Sequence, residues 1–294
     1  EGGRLAALIP VMEVRSFLTG CRGVSLPFSD FCEPMLLHDF GAGELTKCII
    51  SHGRTAGWKY LELRGGKGQA AGTPSYSHYY THTLDLSCGE ERLFKELRDS
   101  TRRNIGKAAR EKLSIRRGTS REFVDEFYRL NCMTRKQHGM PPQPYRFFEK
   151  LHEHLIAQGM GTVFLAKHDG ACIAGAVFLH CGTKVLYKFG ASERKCQHLR
   201  ANNFVMWEAI RTFSREGYGQ FSFGRTEPEN EGLRQFKNGW GGEERIINYY
   251  RYDIREERFM PDNGGGISRY AAFVSKLPLP LLKTIGKYLY RHVG

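Results

Sequence analysis

One order of elements (strand, strand, helix, strand) is written twice along the chain. A duplication of that kind restricts the fold to two fused copies of one supersecondary unit. The first copy reads as GRLAALIPVMEV from Gly3, GVSLPFSDF at 23–31, a helix over GELTKCIISHGRTAG at 43–57 and WKYLELR at 58–64. The second reads as GACIAGAVFLHC from Gly170, KVLYKFGAS at 184–192, a helix over NNFVMWEAIRTFSREG at 202–217 and YGQFSFGR at 218–225. In the later helix Phe204, Val205, Trp207, Ala209, Ile210 and Phe213 repeat at helical spacing, leaving Glu208, Arg211 and Arg215 toward water. Gly217 stands where a left-handed cap ends a helix at least strain.

Ahead of the second copy, SREFVDEFYRLNCMTRKQHG (120–139) and PYRFFEKLHEHLIAQG (144–159) read as helices separated by the breaker PPQP, and TVFLAKHDG (162–170) as a strand. The C-terminal half is therefore expected to be a sheet whose central strands are hairpins and whose later helix crosses over between parallel strands. The first copy shows only the later part of that pattern, which N-terminal truncation would explain. The expected fold class is α/β, two tandem units with mixed central sheets. The division expected is a partial unit at 1–89, a basic connecting helix at 90–118, a second unit at 119–262 and a basic amphipathic tail at 263–294.

With 44 Lys and Arg against 31 Asp and Glu in 294 residues, the chain carries +13, which favours anionic partners: nucleic acid, phosphorylated small molecules or an anionic membrane face. Residues 92–117 hold ten Lys or Arg and three acids, a pattern that also fits a merely solvated linker helix. The tail has five cations and no acid, with Leu281, Leu282, Ile285, Leu289 and Val293 on one face and Lys283, Lys287 and Arg291 on another. Such a helix either rests on an anionic leaflet or packs on the protein itself. Eight cysteines without a CxxC pair, no visible leader and no apolar run of spanning length suggest reduced thiols and a cytoplasmic protein, with the inner membrane as a peripheral contact.

Several motifs carry little. GKGQAA (66–71) fits a dinucleotide-type glycine pattern, but the extended TPSYSHYYTHT follows it instead of a helix, so a flexible loop is expected. His78 and His82 lie four apart in that extended segment, where two imidazoles do not converge as they would on a helix, and no metal site is expected. There is neither a GxSxG elbow nor a P-loop, and nothing supports a covalent intermediate.

The segment with chemical content is FSFGRTEPENEGLRQFKNGWGGEERIINYYRYD (221–253). Arg225 and Thr226 emerge at the carboxyl edge of a strand, where open α/β sheets bind ligands. Phe236 and Lys237 then precede Gly239, Trp240, Gly241 and Gly242. A lysine among glycines suits a site where main chain approaches a substrate while one cation meets developing negative charge. Spacing alone favours the plainer alternative, a solvated helix-end lysine near a packed tryptophan.

From RRNIGKA (102–108) through FKNGWGG (236–242) the chain resembles the FemABX-like and CelD-like branch of the GNAT acyltransferase superfamily, whose members look like two tandem GNAT units. The order and spacing of Asn203, Phe221–Gly224, Phe236–Lys237 and Trp240–Gly241 carry the resemblance. It implies transfer of an acyl or aminoacyl group to an amine of an envelope glycan or of a nucleotide- or lipid-linked peptidoglycan precursor. The co-substrate would be acyl-CoA or aminoacyl-tRNA, with no tightly bound cofactor and no metal. By the same resemblance Lys237 is the catalytic cation, Phe236, Asn203, Arg225 and Arg200 bind the donor, and Arg103, Asn104 and Lys107 meet acceptor phosphate or glycan. Gln197-His198-Leu199-Arg200-Ala201-Asn202 departs from the pattern of CoA users, having Arg200 where their pyrophosphate-clasping turn has glycine. The coiled-coil arm of the staphylococcal enzymes is also missing. Glu208, Glu227, Tyr187 and His198 remain open as general base. The alternatives are a non-catalytic basic module that binds tRNA or anionic glycan, and an ordinary CoA-dependent acetyltransferase.

Overall fold

The computed structural model describes residues 5–37, 41–65, 72–262 and 271–292. One mixed sheet runs in the order β2 (Met12–Ser16), β3 (Gly20–Val24), β5 (Tyr60–Arg64), β12 (Glu243–Asp253), β6 (Ser77–Asp85), β11 (Gln220–Thr226), β10 (Lys184–Ser192), β9 (Ala171–Cys181), β8 (Gly161–His168) and β7 (Ser114–Gly118). The short β13 (Arg258–Phe259) pairs with β12, and β1 (Ala7–Leu8) forms a separate ribbon with β4 (Met35–Leu36).

The duplication is visible in the pairing. β2–β3 and β9–β10 are antiparallel hairpins. Helix α1 (Ala42–Thr55) then carries the chain from β3 to parallel β5, as α6 (Ala201–Arg215) carries it from β10 to parallel β11. The next strand of each copy is exchanged: β6 pairs with β11, β12 pairs with β5, and the two pair with each other at the centre. The tandem α/β architecture read from the sequence is thus present, with both copies sharing one continuous sheet.

Two stretches fold otherwise than expected. GVSLPFSDF is a strand only as far as Val24; beyond it the chain leaves the sheet as a loop in which Leu26 and Phe28 take φ of +44° and +66°. The basic segment 90–118 is two helices, α2 (Glu90–Glu96) and α3 (Asp99–Arg110), followed by strand β7 on β8. The opening strand of the second copy therefore lay inside the stretch read as helix. Its arginines disguised it, because the Arg117 guanidinium lies over the rings of Phe164 and Phe213. GKGQAA lies outside the described residues.

Helices α4 (Arg121–Gln137) and α5 (Tyr145–Leu151, running on as a π-helical segment to Met160) follow their periodicity. They pack Phe127 and Phe148 against Val163, Leu165 and Val177 on one face of the sheet. On the other face α2, α3 and α6 enclose Phe164, Phe178, Phe213 and Phe221, so neighbours along β8 alternate between two cores. Phe178 touches three of those rings, and its truncation to Ala would cost about 3–5 kcal/mol. Trp58, Leu61 and Leu63 form a third cluster with Ile50 of α1. After α8 (Ala271–Val274), α9 (Leu279–Leu289) docks on α4 through buried Leu282 and Gly286.

Candidate functional site

β10 and β11 pair in parallel only over Lys184–Leu186 and Gln220–Ser222. Beyond that point β10 stays with β9 to Ser192, whereas β11 stays with β6, matching Arg225 and Thr226 with Thr81 and Tyr80. The cause is local. Gly224 sits at a register shift with φ of +66°, and a Cβ there would stand 2.8 Å from Asp30 Oδ2 and 3.3 Å from the Tyr187 carbonyl oxygen. Two strands that no longer hydrogen-bond leave a wedge between them.

Helix α7 (Glu231–Asn238), capped by Asn230 Oδ1 accepting from the Leu233 N–H at 3.2 Å, delivers Lys237 to that place. The lysine is 2% exposed, and its Nζ donates to the carbonyl oxygens of Gly224 and Arg225, each at 2.9 Å. Burial pushes its pKa down to about 8, although the charges of Asp30 and Glu227 favour the ammonium. The solvated helix-end lysine favoured by spacing is therefore not what forms. The cation is enclosed beside the wedge, with two of its three N–H donors engaged.

The loop after β3 reaches the same place from the first copy. Arg64 donates to the carbonyl oxygens of Leu26 (3.3 Å) and Ser29 (2.8 Å), Lys188 to that of Phe28 (2.8 Å) and the Tyr249 hydroxyl to that of Asp30 (2.7 Å). Fastened so, the Asp30 carboxylate accepts from the Arg225 N–H at 3.4 Å and from Lys188 Nζ at 3.3 Å. The Arg225 guanidinium donates to Tyr249 Oη (3.0 Å) and lies 4.4 Å over the Tyr79 ring. Asp30 was not among the carboxylates that the sequence singled out. Its only signal was a polar residue in SLPFSD, a stretch read as strand.

A second missed group fixes α7 from beneath. His82 is fully buried, with Nε2 2.9 Å from Asn238 Oδ1 and 3.0 Å from Glu244 Oε2. Burial pushes its pKa down, so the ring is neutral at pH 7 and shares one N–H between two acceptors instead of forming an ion pair. Arg234 grips Glu244 with bonds of 2.7 and 2.6 Å and holds its carboxyl down to about 2. The glycines after Lys237 admit neighbouring main chain: a Cβ on Gly241 or Gly242 would lie 2.9 Å from the Glu96 oxygen or 2.6 Å from the Thr83 oxygen.

Lys237 and Arg225 are joined through the Arg225 carbonyl, whereas Phe236, next to Lys237 in the helix, is half-buried with its ring edge-on to Trp240 against the aromatic core. Arg200 and Asn203 sit elsewhere, at the start of α6. Arg200 is exposed at φ of +59°, the left-handed conformation for which CoA users were expected to have glycine. On α3, Arg103 is exposed and Asn104 and Lys107 are half-buried, while Thr101, Ile105 and Ala108 face inward. The Arg98 N–H donates to the Gly239 carbonyl at 3.0 Å, which ties α3 to the end of α7. Among the described residues no hydrogen bond joins the α6 or α3 groups to Lys237. Of the open general bases, burial pushes Tyr187 to about 12, Glu208 pairs with Arg211, His198 is exposed, and Glu227 lies 3.8 Å from Arg225.

Residues 95–238 match the acetyltransferase (GNAT) domain family. A stretch of 92 residues is 24% identical to the UDP-N-acetylmuramoylpentapeptide-lysine N(6)-alanyltransferase of Weissella viridescens, covering 31% of this chain and 27% of that protein. Another of 87 residues is 31% identical to the lipid II:glycine glycyltransferase of Staphylococcus haemolyticus (strain JCSC1435), covering 27% and 21%. Over residues 95–238 the chain is thus similar to GNAT acetyltransferase domains, and over shorter stretches to these two transferases. The matched stretches span about a quarter of either relative's length. The crystal structure of FemX overlays 84% of this chain on 85% of its own with a TM-score of 0.62 at 13% identity, a likeness of fold. The parting of β10 and β11, α6 and Lys237 all fall within the residues that match the GNAT family.

Proposed function

We propose that the chain is an N-acyltransferase that moves an acyl or aminoacyl group from a thioester or ester donor, acyl-CoA or aminoacyl-tRNA, to an amine of an envelope glycan or peptidoglycan-related precursor. The observation that carries this reading is the enclosed Lys237, whose Nζ keeps one N–H beyond the two given to Gly224 and Arg225. In the reaction the acceptor nitrogen bonds to the donor carbonyl carbon and the carbonyl π pair moves to oxygen. The returning pair expels the thiolate or ribose oxygen, which takes up the proton that the amine loses. An ammonium aimed at that oxygen from a water-poor site stabilises the intermediate without reorganising. Asp30 and Glu227, the carboxylates whose charges act on Lys237, are the proposed bases that would relay the amine proton to the leaving group.

Arg225 and Phe236 border the donor beside Lys237, and Arg200 and Asn203 offer a cation and an amide at the start of α6 for its phosphates or backbone. Arg103, Asn104 and Lys107 are proposed to meet the acceptor's phosphate or glycan. The relatives' names support an acceptor of the muramoyl-pentapeptide or lipid II class.

The test is incubation with acetyl-CoA or aminoacyl-tRNA and UDP-N-acetylmuramoyl-pentapeptide, with mass spectrometry for a new amide. Micromolar binding of acetyl-CoA by titration calorimetry would assign the CoA donor; calorimetric silence with transfer from tRNA would assign the other. Binding of charged and uncharged tRNA alike, steeply salt-dependent and without transfer, would replace the reading by the basic-module alternative.

A further inference from the structure

The last helix has two unlike sides. Leu282 is buried and Gly286 lies against the Pro142 carbonyl; Arg135 donates to Tyr290 Oη at 2.9 Å, and Lys283 lies over the Tyr128 ring. The opposite side is uncovered. Leu281 and Tyr288, seven residues apart and so on one stripe, are 46% and 54% exposed, with exposed Lys287 and Arg291 beside them. The stripe continues onto another element: Phe17, at the tip of the β2–β3 hairpin, packs edge-on to His292 with ring centroids 4.6 Å apart. Phe17 is nevertheless 82% exposed, and Leu18 next to it 57%. Arg22 locks the hairpin to the helix end by donating to the His292 carbonyl at 3.0 Å. No Asp or Glu follows Asp262. The nearest acid of the hairpin, Glu13, is engaged by Arg15 and Trp58.

We propose that Phe17, Leu18, Leu281 and Tyr288, flanked by Lys287 and Arg291, are a docking surface for an anionic lipid bilayer, with α9 lying in its headgroup layer. Contiguous apolar groups rimmed by cations, with no acid on the helix, match acyl chains below phosphates. Among the described residues no helix is long and apolar enough to cross a membrane. The surface also adjoins the wedge: Tyr290 stacks on Phe28, in the loop that seats Asp30. Docking stands independently of the transferase reading, and where both hold it favours a lipid-linked acceptor.

The experiment is cosedimentation of the full chain with vesicles of equal phosphatidylglycerol and phosphatidylcholine, against phosphatidylcholine alone. Binding is expected only to the anionic vesicles. The pair Lys287→Gln and Arg291→Gln should weaken it about thirtyfold. The triple Phe17→Ser, Leu281→Ser, Tyr288→Ser should abolish it at unchanged charge. Leu281→Trp should show a blue shift on adding anionic vesicles, since Trp58, Trp207 and Trp240 are all buried. Failure of the parent to bind would overturn the proposal, as would undiminished binding of a triple variant that melts like the parent. So would vesicle-free self-association removed by the same three substitutions, which would make the face a contact between copies. None of these residues is at the wedge, so transfer to a soluble acceptor reads out separately.

Discussion

Replacing Lys237 by Met keeps the length of the side chain and removes its charge, which separates chemistry from folding. A pKa of about 8 in place of 10.5 means that burial disfavours the ammonium by about 3 kcal/mol. Because this is a cation with a lowered pKa, that penalty is fully present below pH 8 and fades as pH rises toward 10.5. Met removes the penalty but leaves the carbonyl oxygens of Gly224 and Arg225 without their donor, at about 1–3 kcal/mol each. The two effects oppose, so urea unfolding at pH 7 should place the variant within about 3 kcal/mol of the parent. Turnover should fall by about 10²–10³, the loss typical of one oxyanion donor. The parent's rate should decline as pH rises through about 8, where Lys237 loses its proton, and that limb should be absent from the residual rate of the variant. Single-turnover transfer from labelled donor, measured from pH 6 to 10, reads both. A folded variant that keeps its rate within a few fold, or one whose alkaline limb persists, refutes the assignment.

Asp30→Asn removes a charge that favours the Lys237 ammonium, so the alkaline limb of the pH–rate profile should move to lower pH; an unmoved limb would detach Asp30 from the site. Arg200→Gly relieves the left-handed strain while freeing the unfolded chain, so thermal unfolding should show a change within about 1 kcal/mol. The donor KM should rise if Arg200 meets phosphate. Glu244→Gln should flatten acid unfolding, because a carboxyl held near 2 contributes stability that is present above its ordinary 4.5 and lost as pH falls toward 2. His82→Ala should cost about 2 kcal/mol in denaturant unfolding by stranding its partners, and its loss should slow transfer through displaced α7.

The parts legible in the sequence were those that local chemistry specifies. Helix α6 follows from apolar spacing and Gly217 (φ +82°), and the β9–β10 hairpin from two successive strand-forming runs, so the duplication could be seen. β7 was missed because Arg116 and Arg117 read as a solvated helix, although the Arg117 guanidinium lies over aromatic rings. Lys237 was nameable, but its enclosure was not, since nothing within α7 says that Gly224 and Arg225 will present their carbonyl oxygens to it.

What the sequence alone determined is the pair of repeated units and the residues that cluster on α7, because helical and strand periodicities and glycine caps act over a few residues. Tertiary structure decided how the units join. The exchange of β6 and β12 makes one sheet of two, bringing Tyr79 and Tyr249 of the exchanged strands beside Arg225. That sheet lets the loop of the first unit set Asp30 at a wedge in the second, and lets His82 of β6 hold the helix that carries Lys237. Such neighbours are chosen by which faces can be buried together, a quantity summed over the whole chain that no local window contains.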